Sequence, residues 1–313
     1  MITAEKNIKE DFLTVRELNE RHDEVMRGVV KDAIVSMESG YGLLPARFSF
    51  LLMGSAGRRE QSILSDQDHA LLHDGTEEDT KYFLELGRRI TAGLTENGYS
   101  LCEGRVMASE PRWCRTVDSM KEQVLDWVRE GTWEGVRHAL ILFDARPLTG
   151  SGQGIREIKE ALFQLLREDP ETRERILSNT SFRMRRKNIF GQILTDQHGY
   201  FDFKETVLFP YVNSARTGAV LEGITAVSTL ERMEELGYTF PSMQPAAPSF
   251  QDALAFRHKK CRTKKFYEEV HLVHAPSLDR GEKRKVKEWM NEGSRLMENI
   301  HSYYRHLERK RQQ

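Results

Sequence analysis

The stretch MGSAGRREQSILSDQDHALL, residues 53–72, decides the fold of the N-terminal half of this chain. The apolar run FSFLLMG that leads into it ends in glycine, which is typical of a buried strand followed by a tight turn, and predicts a strand over 47–54. Beyond a polar spacer, the segment SDQDHALLH predicts a second strand over 66–73. Two short strands linked in this way predict a small α/β domain built around a sheet.

The turn after the first strand has the composition of an anion-binding loop. Gly54 and Gly57 have no Cβ and can adopt positive φ, which lets backbone N–H groups approach an anion. Ser55 adds a hydroxyl group, and Arg58 adds a fixed positive charge. We therefore expect these four residues to bind the phosphates of a nucleoside triphosphate.

Asp66 and Asp68 lie one residue apart on the predicted second strand. Side chains two positions apart on a strand share a face, so the two carboxylates should converge. They repel each other unless a cation lies between them. Mg²⁺, with Mn²⁺ as the alternative, is the expected metal, because Mg²⁺ binds one or two carboxylates and takes further oxygens from water and substrate phosphates. Two such ions can activate an attacking hydroxyl and stabilise a leaving pyrophosphate.

A Gly-Ser turn, a spacer and an acid-x-acid pair in a strand resemble the DNA polymerase beta nucleotidyltransferase superfamily. Within it, GSAGRRE followed by SDQDHALL is similar to the bacterial signal-transduction nucleotidyltransferases. These are often fused to CBS or cyclic-nucleotide-binding domains and are related to the uridylyltransferase of nitrogen-regulatory proteins. The resemblance implies two groups of site residues: a nucleotide turn with its extension (Gly54, Ser55, Gly57, Arg58, Glu60) and the catalytic metal ligands (Asp66, Asp68). His69 stands where that family more often has asparagine.

Later segments also resemble the family, namely VMASEPRWCR (106–115), FDARPLTG (143–150) and FDFKETVLFPYVNSARTGAV (201–220). Lys204 in the last of them is expected to bind nucleotide, and a surface lysine is the alternative. The basic run RHKKCRTKK, residues 257–265, is interpreted as a solvated helix face or as an anion- or acidic-partner-binding patch. No role is assigned to His271 and His274, which are spaced one helical turn apart.

A third carboxylate is usual in the superfamily, and two residues compete for this role. Glu103 is the first choice, because it lies in YSLCEGRVMA, which we predict to form a strand over 99–108 beside the acid pair. Asp144 in ALILFDAR is the alternative, although it could equally be a buried partner of Arg146 or a helix cap. A site with only two carboxylates is the remaining hypothesis.

Two domains are expected in 313 residues. Residues 1–150 should form an α/β (α+β) nucleotidyltransferase domain with a mixed sheet, in which helices cover 5–38, 77–97 and parts of 116–145. The first helix should pack on the sheet or against a second copy, which would make a homodimer. SGQG at 151–154 reads as a joint. Residues 151–313 should form an all-α helical bundle that binds substrate.

Composition limits the partners. With 47 basic and 48 acidic residues, the chain has no overall field that attracts nucleic acid. Cys102, Cys114 and Cys261 lack metal-binding spacing and predict free thiols in a reducing compartment. The N-terminal residues are too charged for a signal peptide, and no apolar stretch is long enough to cross a membrane. A soluble, cytoplasmic protein is expected.

The sequence therefore predicts a Mg²⁺-dependent transferase that moves a nucleoside monophosphate from a nucleoside triphosphate to a hydroxyl of a protein or small-molecule acceptor. By resemblance, its role is in signalling. Because the chain has no room for a fused sensing domain, any regulation is expected from a separate protein. The alternative is a catalytically weak nucleotide-binding module that acts through a protein partner. RNA end modification is a third hypothesis, which the near-neutral charge disfavours.

Overall fold

The computed structural model describes residues 14–180 and 193–311. The chain divides into two compact units, Met1–Gln164 and Leu165–Gln313. The predicted domain boundary after residue 150 precedes the boundary between these two units. It lies just before a helix that runs from Gln153 to Glu168. That division stays a prediction about where one functional domain ends and the next begins.

The first unit begins with helix α1, Val15–Tyr41. Thr14 and Glu17 form a capping box that satisfies free N–H groups at its start. Its buried face repeats every three or four residues, as an amphipathic helix requires, and includes polar residues beside the apolar ones: Leu18, Asn19, His22, Asp23, Met26, Val30, Ala33 and Met37. The helix that the sequence predicts is therefore present, and the part of that prediction before residue 14 lies outside the described residues.

A four-stranded mixed sheet forms the centre of this unit. Its strands stand in the order β3-β2-β1-β4, and β1 is antiparallel to β2 and β4 whereas β2 and β3 are parallel. The strands are β1 (Phe48–Leu52), β2 (His69–His73), β3 (Cys114–Thr116) and β4 (Arg146–Thr149). The helices after α1 are α2 (Gly54–Arg58), α3 (Thr80–Glu96), α4 (Val117–Glu130), α5 (Trp133–Phe143) and α6 (Gln153–Glu168). The mixed sheet confirms the predicted fold class of this half.

The strand predicted over 99–108 is wrong. Within that range Ser100 forms an isolated bridge with Asp66, and the third strand is Cys114–Thr116, which begins after the predicted strand and ends at the first residue of the range in which helices were predicted. The cause is a tight turn, in which the N–H of Arg105 donates to the carbonyl of Cys102 at 2.9 Å and Arg105 adopts φ 52°. The turn reverses the chain and ends the extended segment.

The second unit is mainly helical, as predicted. Helix α8 lies at its centre, because residues 210–220 are all buried. Its helices are α7 (Pro170–Thr180), α8 (Phe209–Glu222), α9 (Thr229–Leu236), α10 (Met243–Cys261) and α11 (Arg280–Arg311), with a π-helical turn at Lys204–Leu208. The sequence STLE at 228–231 predicts a capping box at the start of α9, and the structure confirms it. The sequence also predicts a helix over SFRMRRKNIFGQIL, residues 181–194, and this stretch lies largely outside the described residues.

The second unit also contains a feature that the sequence did not reveal. Strands β5 (Tyr200–Asp202) and β6 (Leu272–His274) form an antiparallel pair. The sequence predicts a helical stretch over 249–274, but helix α10 ends at Cys261, before the second of these strands begins. His274 lies in a strand and His271 directly before it, so these two histidines do not lie one turn apart on a helix. Across the described ranges, no helix is both long enough and apolar enough to span a membrane.

Candidate active site

The two aspartates converge as predicted, although β2 begins only at His69. The segment before it is still extended, because the N–H of Met53 donates to the carbonyl of Asp68 at 2.8 Å and the N–H of Gln67 donates to that of Ser100 at 3.0 Å. Alternation of side chains therefore continues back through residue 66. The carboxylates of Asp66 and Asp68 and the thiol of Cys102 have ligand atoms within 4.8 Å of one another.

The side chains between and after the acids point the other way, into the core. Gln67 Oε1 lies 3.1 Å from His69 Nε2, and the amide group of Gln67 donates to the carbonyl of Tyr99 at 3.2 Å. His69 Nδ1 accepts the N–H of Ala108 at 3.0 Å, so the proton lies on Nε2. Burial lowers the pKa of His69 to about 3 and keeps the ring neutral. His69, which stands where the family more often has asparagine, therefore uses buried hydrogen bonds to stabilise the segment that carries the two aspartates.

Cys102 is a site residue that the sequence analysis missed, because cysteine spacing alone gave no sign of it. Burial and the neighbouring Asp68 carboxylate raise the pKa of the Cys102 thiol to about 12, and its hydrogen bond to Asp68 acts in the same direction. The thiol therefore keeps its proton at neutral pH. Glu103, one residue further on, is exposed and lies outside this group.

The Gly-Ser turn lies directly against the acid pair. Helix α2 starts at Gly54, immediately after β1, and Gly54 adopts φ 52°. A Cβ at this position would overlap the carboxylate of Asp68. Glycine is therefore required here both by the backbone and by the close approach of a site residue. Ser55 follows it and is half-buried.

Replacing Gly54 with alanine is expected to lower activity about 10²-fold, because the added methyl group displaces the Asp68 carboxylate by a distance on the order of 1 Å. The matched control is Gly98→Ala. Gly98 also has positive φ, at 89°, but a Cβ added there would meet no atom within 4 Å. Both variants should lose about 1 kcal/mol of unfolding free energy to backbone strain. Equal activities in a pyrophosphate-release assay would contradict the expected contact.

Arg58 differs from its expected role. The residue is 8% exposed, and its guanidinium group donates to Glu60 at 2.8 Å and to Asp144 at 2.5 Å. The guanidinium group of Arg58 therefore forms ion pairs with two buried carboxylates, and these ion pairs stabilise the Gly-Ser turn. Asp144, the alternative third carboxylate, is fully buried in this ion pair, and its partner is Arg58 rather than Arg146.

A second arginine supports the same turn. Arg146, at the start of β4, donates through Nε to the carbonyl of Gly57 at 3.0 Å and through Nη2 to Asp23 of α1 at 2.6 Å. Its positive charge lies at the carbonyl end of α2, where the helix dipole favours a cation. From sequence, Arg146 was expected only as a partner of Asp144, and its contact with Asp23 was not predicted. Their separation in the chain hides this contact.

His22 joins α1 to the loop after the turn. Its Nε2 donates to the carbonyl of Ser62 at 2.9 Å, and its Nδ1 lies 2.9 Å from the hydroxyl of Tyr99. Because a carbonyl only accepts, Nε2 carries the proton and Nδ1 accepts from the tyrosine. In sequence, His22 lies on the apolar stripe of the first helix, which predicts a histidine at the edge of the core rather than a metal ligand, and these contacts give it a structural role.

The free energy of unfolding should depend on pH in part because His22 is buried in its neutral form. Burial lowers the pKa of His22 from 6.5 to about 4. Below pH 6.5 the unfolded chain binds a proton that the folded state excludes, so the free energy of unfolding falls as pH drops towards 4, by up to about 1.4 kcal/mol per pH unit. Above pH 7 this contribution is constant. Urea denaturation at pH 7.5, 6 and 5 should show a smaller pH slope for His22→Gln. Identical slopes in the two proteins would contradict the assignment.

The last predicted site residue, Lys204, begins the π-helical turn of the second unit and so belongs to a different compact unit from the acid pair.

Comparison with known families gives two matches. Residues 5–134 match the family described as "Putative nucleotidyltransferase DUF294", and residues 173–304 match the description "Putative nucleotidyltransferase substrate binding domain". No curated protein matches the chain. The first match contains the Gly-Ser turn and the acid pair, and the second contains Lys204. Since both family models match in this order and together cover most of the chain, the protein belongs to the DUF294 nucleotidyltransferase family.

Proposed function

We propose that this protein transfers a nucleoside monophosphate from a nucleoside triphosphate to an acceptor hydroxyl, with Mg²⁺ as the cofactor and Mn²⁺ as the alternative. The observation that carries the proposal is the placement of the Asp68 carboxylate, next to Asp66, directly against Gly54 of the Gly-Ser turn. A phosphate-binding turn and a pair of metal-binding carboxylates in one place are what nucleotidyl transfer requires.

The donor set suits a hard cation. Asp66 and Asp68 would hold it through carboxylate oxygens, which Mg²⁺ prefers. A protonated thiol is a poor ligand for such an ion, so Cys102 would act as a hydrogen-bond donor that orients Asp68. When bound, the metal supplies charge neutralisation for the phosphates and lowers the pKa of the acceptor hydroxyl.

The chain's own residues bind and position the substrate in this mechanism. Backbone N–H groups of residues 54–56 and the hydroxyl of Ser55 bind the β- and γ-phosphates, whereas the N–H of Gly57 already donates to the carbonyl of Met53 at 2.8 Å. The acceptor oxygen forms a bond to the α-phosphorus, and its proton passes to solvent. The bond from the α-phosphorus to the bridging oxygen breaks, and its electron pair leaves with pyrophosphate. Arg58 and Arg146 act indirectly, by holding the turn rigid.

A third carboxylate is the part of the site left to experiment. Glu103 stays a hypothesis for the third carboxylate. Because its side chain is exposed, it could join the acid pair only once substrate is bound. The neighbouring thiol of Cys102 occupies the position beside the acid pair. A two-carboxylate site is the version that the described geometry supports best.

The acceptor is proposed to be a protein or small-molecule hydroxyl, in a cytoplasmic signalling role that a separate regulatory protein controls. The support for this comes from the resemblance to signal-transduction relatives. The second candidate is a nucleotide-binding regulatory module with weak catalysis. It is favoured by one observation, the thiol that stands where a third acid would be expected.

The deciding experiment measures pyrophosphate release with Mg²⁺ or Mn²⁺ and each of the four nucleoside triphosphates, with candidate acceptors or cell extract present. Wild type is compared with the Asp66→Ala, Asp68→Ala double variant and with Asp126→Asn, a control for charge on the exposed surface of α4. Release that only the double variant loses would support the transferase and name its nucleotide. Metal-dependent nucleotide binding with no release under any condition would favour the regulatory module.

A further inference from the structure

One arginine that the mechanism above does not use lies near the acid pair. The Nη1 atom of Arg137, on α5, and the Sγ atom of Cys102 lie 3.8 and 3.7 Å from the point at which a Cβ on Gly104 would stand. The guanidinium group and the thiol are therefore close neighbours. The thiol in turn lies within 4.8 Å of carboxylate oxygens of Asp66 and Asp68. Because the side chain of Arg137 is long and exposed, it can reach an anion that binds at the acid pair.

An aromatic ring orients the guanidinium group of Arg137. Its Cζ atom lies 5.6 Å from the centroid of the Trp133 ring, one helical turn earlier on α5. Such a contact uses the flat face of the guanidinium group and leaves the N–H donors at its edge available. Trp133 is 63% exposed, so the pair lies at the surface of the first unit. The stacked arginine therefore presents its donors to a ligand.

Two neighbouring carboxylates are bound by other arginines. Glu134, one helical turn before Arg137, forms an ion pair with Arg112 at 3.1 Å. Glu110, in the segment after the Cys102 loop, forms an ion pair with Arg105 at 2.7 Å. Within residues 14–180 and 193–311, the guanidinium group of Arg137 forms no hydrogen bond and no ion pair. Its N–H donors are therefore available to a ligand.

The charge balance around Arg137 changes when substrate binds. Before that, the carboxylates of Asp66, Asp68 and the exposed Glu103 outweigh its single positive charge. His138, which interacts electrostatically with Arg137, is neutral at pH 7, because burial lowers its pKa. A metal ion bound by the acid pair is shared with the phosphates of the nucleotide, so the phosphates need a further counter-charge. Arg137 is placed to supply it.

We propose that Arg137 binds the phosphates of the nucleoside triphosphate and stabilises the negative charge that the leaving pyrophosphate gains. This inference rests on the proposed function. Arg58, which the sequence suggested for phosphate binding, is held by Glu60 and Asp144, so its charge is not available to the nucleotide. The planar guanidinium group of Arg137 can donate two parallel hydrogen bonds to phosphate oxygens. When the bond from the α-phosphorus to the bridging oxygen breaks, its electron pair moves onto pyrophosphate, and Arg137 keeps its own protons.

The test is isothermal titration calorimetry of the full chain with Mg²⁺ and the α,β-methylene analogues of the four nucleoside triphosphates, which cannot be cleaved between the α- and β-phosphorus. Arg137→Gln should weaken binding between about tenfold and a hundredfold, since charged hydrogen bonds are lost. The factor should be the same for every base, because the contact is to phosphate. Arg137→Lys should keep part of the affinity, because the charge remains. Arg156→Gln is the matched control, since Arg156 is an exposed arginine of α6 that also forms no ion pair in the described part of the chain.

Metal binding without nucleotide separates a contact with phosphate from damage to the site. Arg137→Gln should bind Mn²⁺ as tightly as wild type or more tightly, because a positive charge near Asp66 and Asp68 is removed. Electron paramagnetic resonance of free Mn²⁺ measures this affinity. Weaker binding of both Mn²⁺ and nucleotide would mean that Arg137 only supports the structure of the site, and would overturn the proposal.

The remaining outcomes distinguish this inference from the proposed function. Equal binding of the analogues by wild type and a folded Arg137→Gln variant would overturn the role of Arg137 and leave the proposed transferase intact. If wild type bound none of the analogues with Mg²⁺ or Mn²⁺, the proposed function would fail, and the role of Arg137 with it. Where pyrophosphate release is measurable, Arg137→Gln should lower kcat/KM at least as much as it weakens binding, because the contact strengthens as pyrophosphate gains charge.

Discussion

Replacing Asp68 with asparagine is expected to lower nucleotidyl transfer on the order of 10³-fold without unfolding the protein. The amide has the same shape but no charge, so the site loses half of its metal-binding charge. At the same time the repulsion between Asp66 and Asp68 disappears. The free energy of unfolding in metal-free buffer should therefore be unchanged or higher. Pyrophosphate release and urea denaturation measure the two effects.

Cys102→Ser is the informative companion to this variant. The serine hydroxyl can still donate to Asp68, so activity should stay within about tenfold of wild type if the thiol only orients the carboxylate. Cys102→Val removes the donor and should cost more. A Cys102→Ser variant as inactive as Asp68→Asn would mean that the sulfur itself takes part in metal binding or chemistry. A fully active Asp68→Asn variant would rule out the acid pair as the metal site.

Replacing Arg58 with methionine is expected to lower the free energy of unfolding by about 3–5 kcal/mol, the largest stability effect that we predict. Arg58 is 8% exposed, and its partners Glu60 and Asp144 are 5% and 0% exposed. Removing the cation leaves two carboxylates buried without their counter-charge. Because these residues hold the Gly-Ser turn, activity should fall as well.

The neighbouring Arg59 provides the control. Its side chain is 50% exposed and lies 4.0 Å from Asp23, so Arg59→Met should change the unfolding free energy by less than about 1 kcal/mol. The two variants remove the same charge from adjacent positions and differ only in burial and partners. If both lost equal stability, net charge rather than the buried ion pairs would be the cause. If Arg58→Met kept full stability but lost activity, Arg58 would contact substrate after all.

The acid pair could be predicted from sequence because its geometry depends only on local backbone conformation. Alternation along an extended segment brings Asp66 and Asp68 to one face, and it does so although the strand itself begins at His69. The opposite face carries Gln67 and His69, which the core requires to be hydrogen-bonded. Gly54 was predictable for a similar reason, since its positive φ is a local property. Gly57 does not have positive φ, and a Cβ there would overlap the backbone carbonyl of Asp144, a contact that only the fold creates.

The third position of the site could not be predicted, because it depends on where the chain reverses. A turn from Cys102 to Arg105 replaces the expected strand, and this brings a thiol rather than the carboxylate of Glu103 to the acid pair. The roles of the arginines were hidden for a different reason. Arg58 directly follows the phosphate turn in sequence, whereas Arg146 reaches it only through the fold, and only burial shows that each is held by a carboxylate.

The sequence by itself determined the mixed-sheet unit, the helical second unit and the convergence of Asp66 with Asp68, because hydrophobic periodicity and the two-residue strand repeat are local properties. Only the tertiary structure decided which side chains complete the site and which support it. Cys102 and Asp23 are brought to their partners by contacts between distant segments. Burial then fixes whether a charge is available to a ligand or is neutralised within the protein, and no local pattern carries that information.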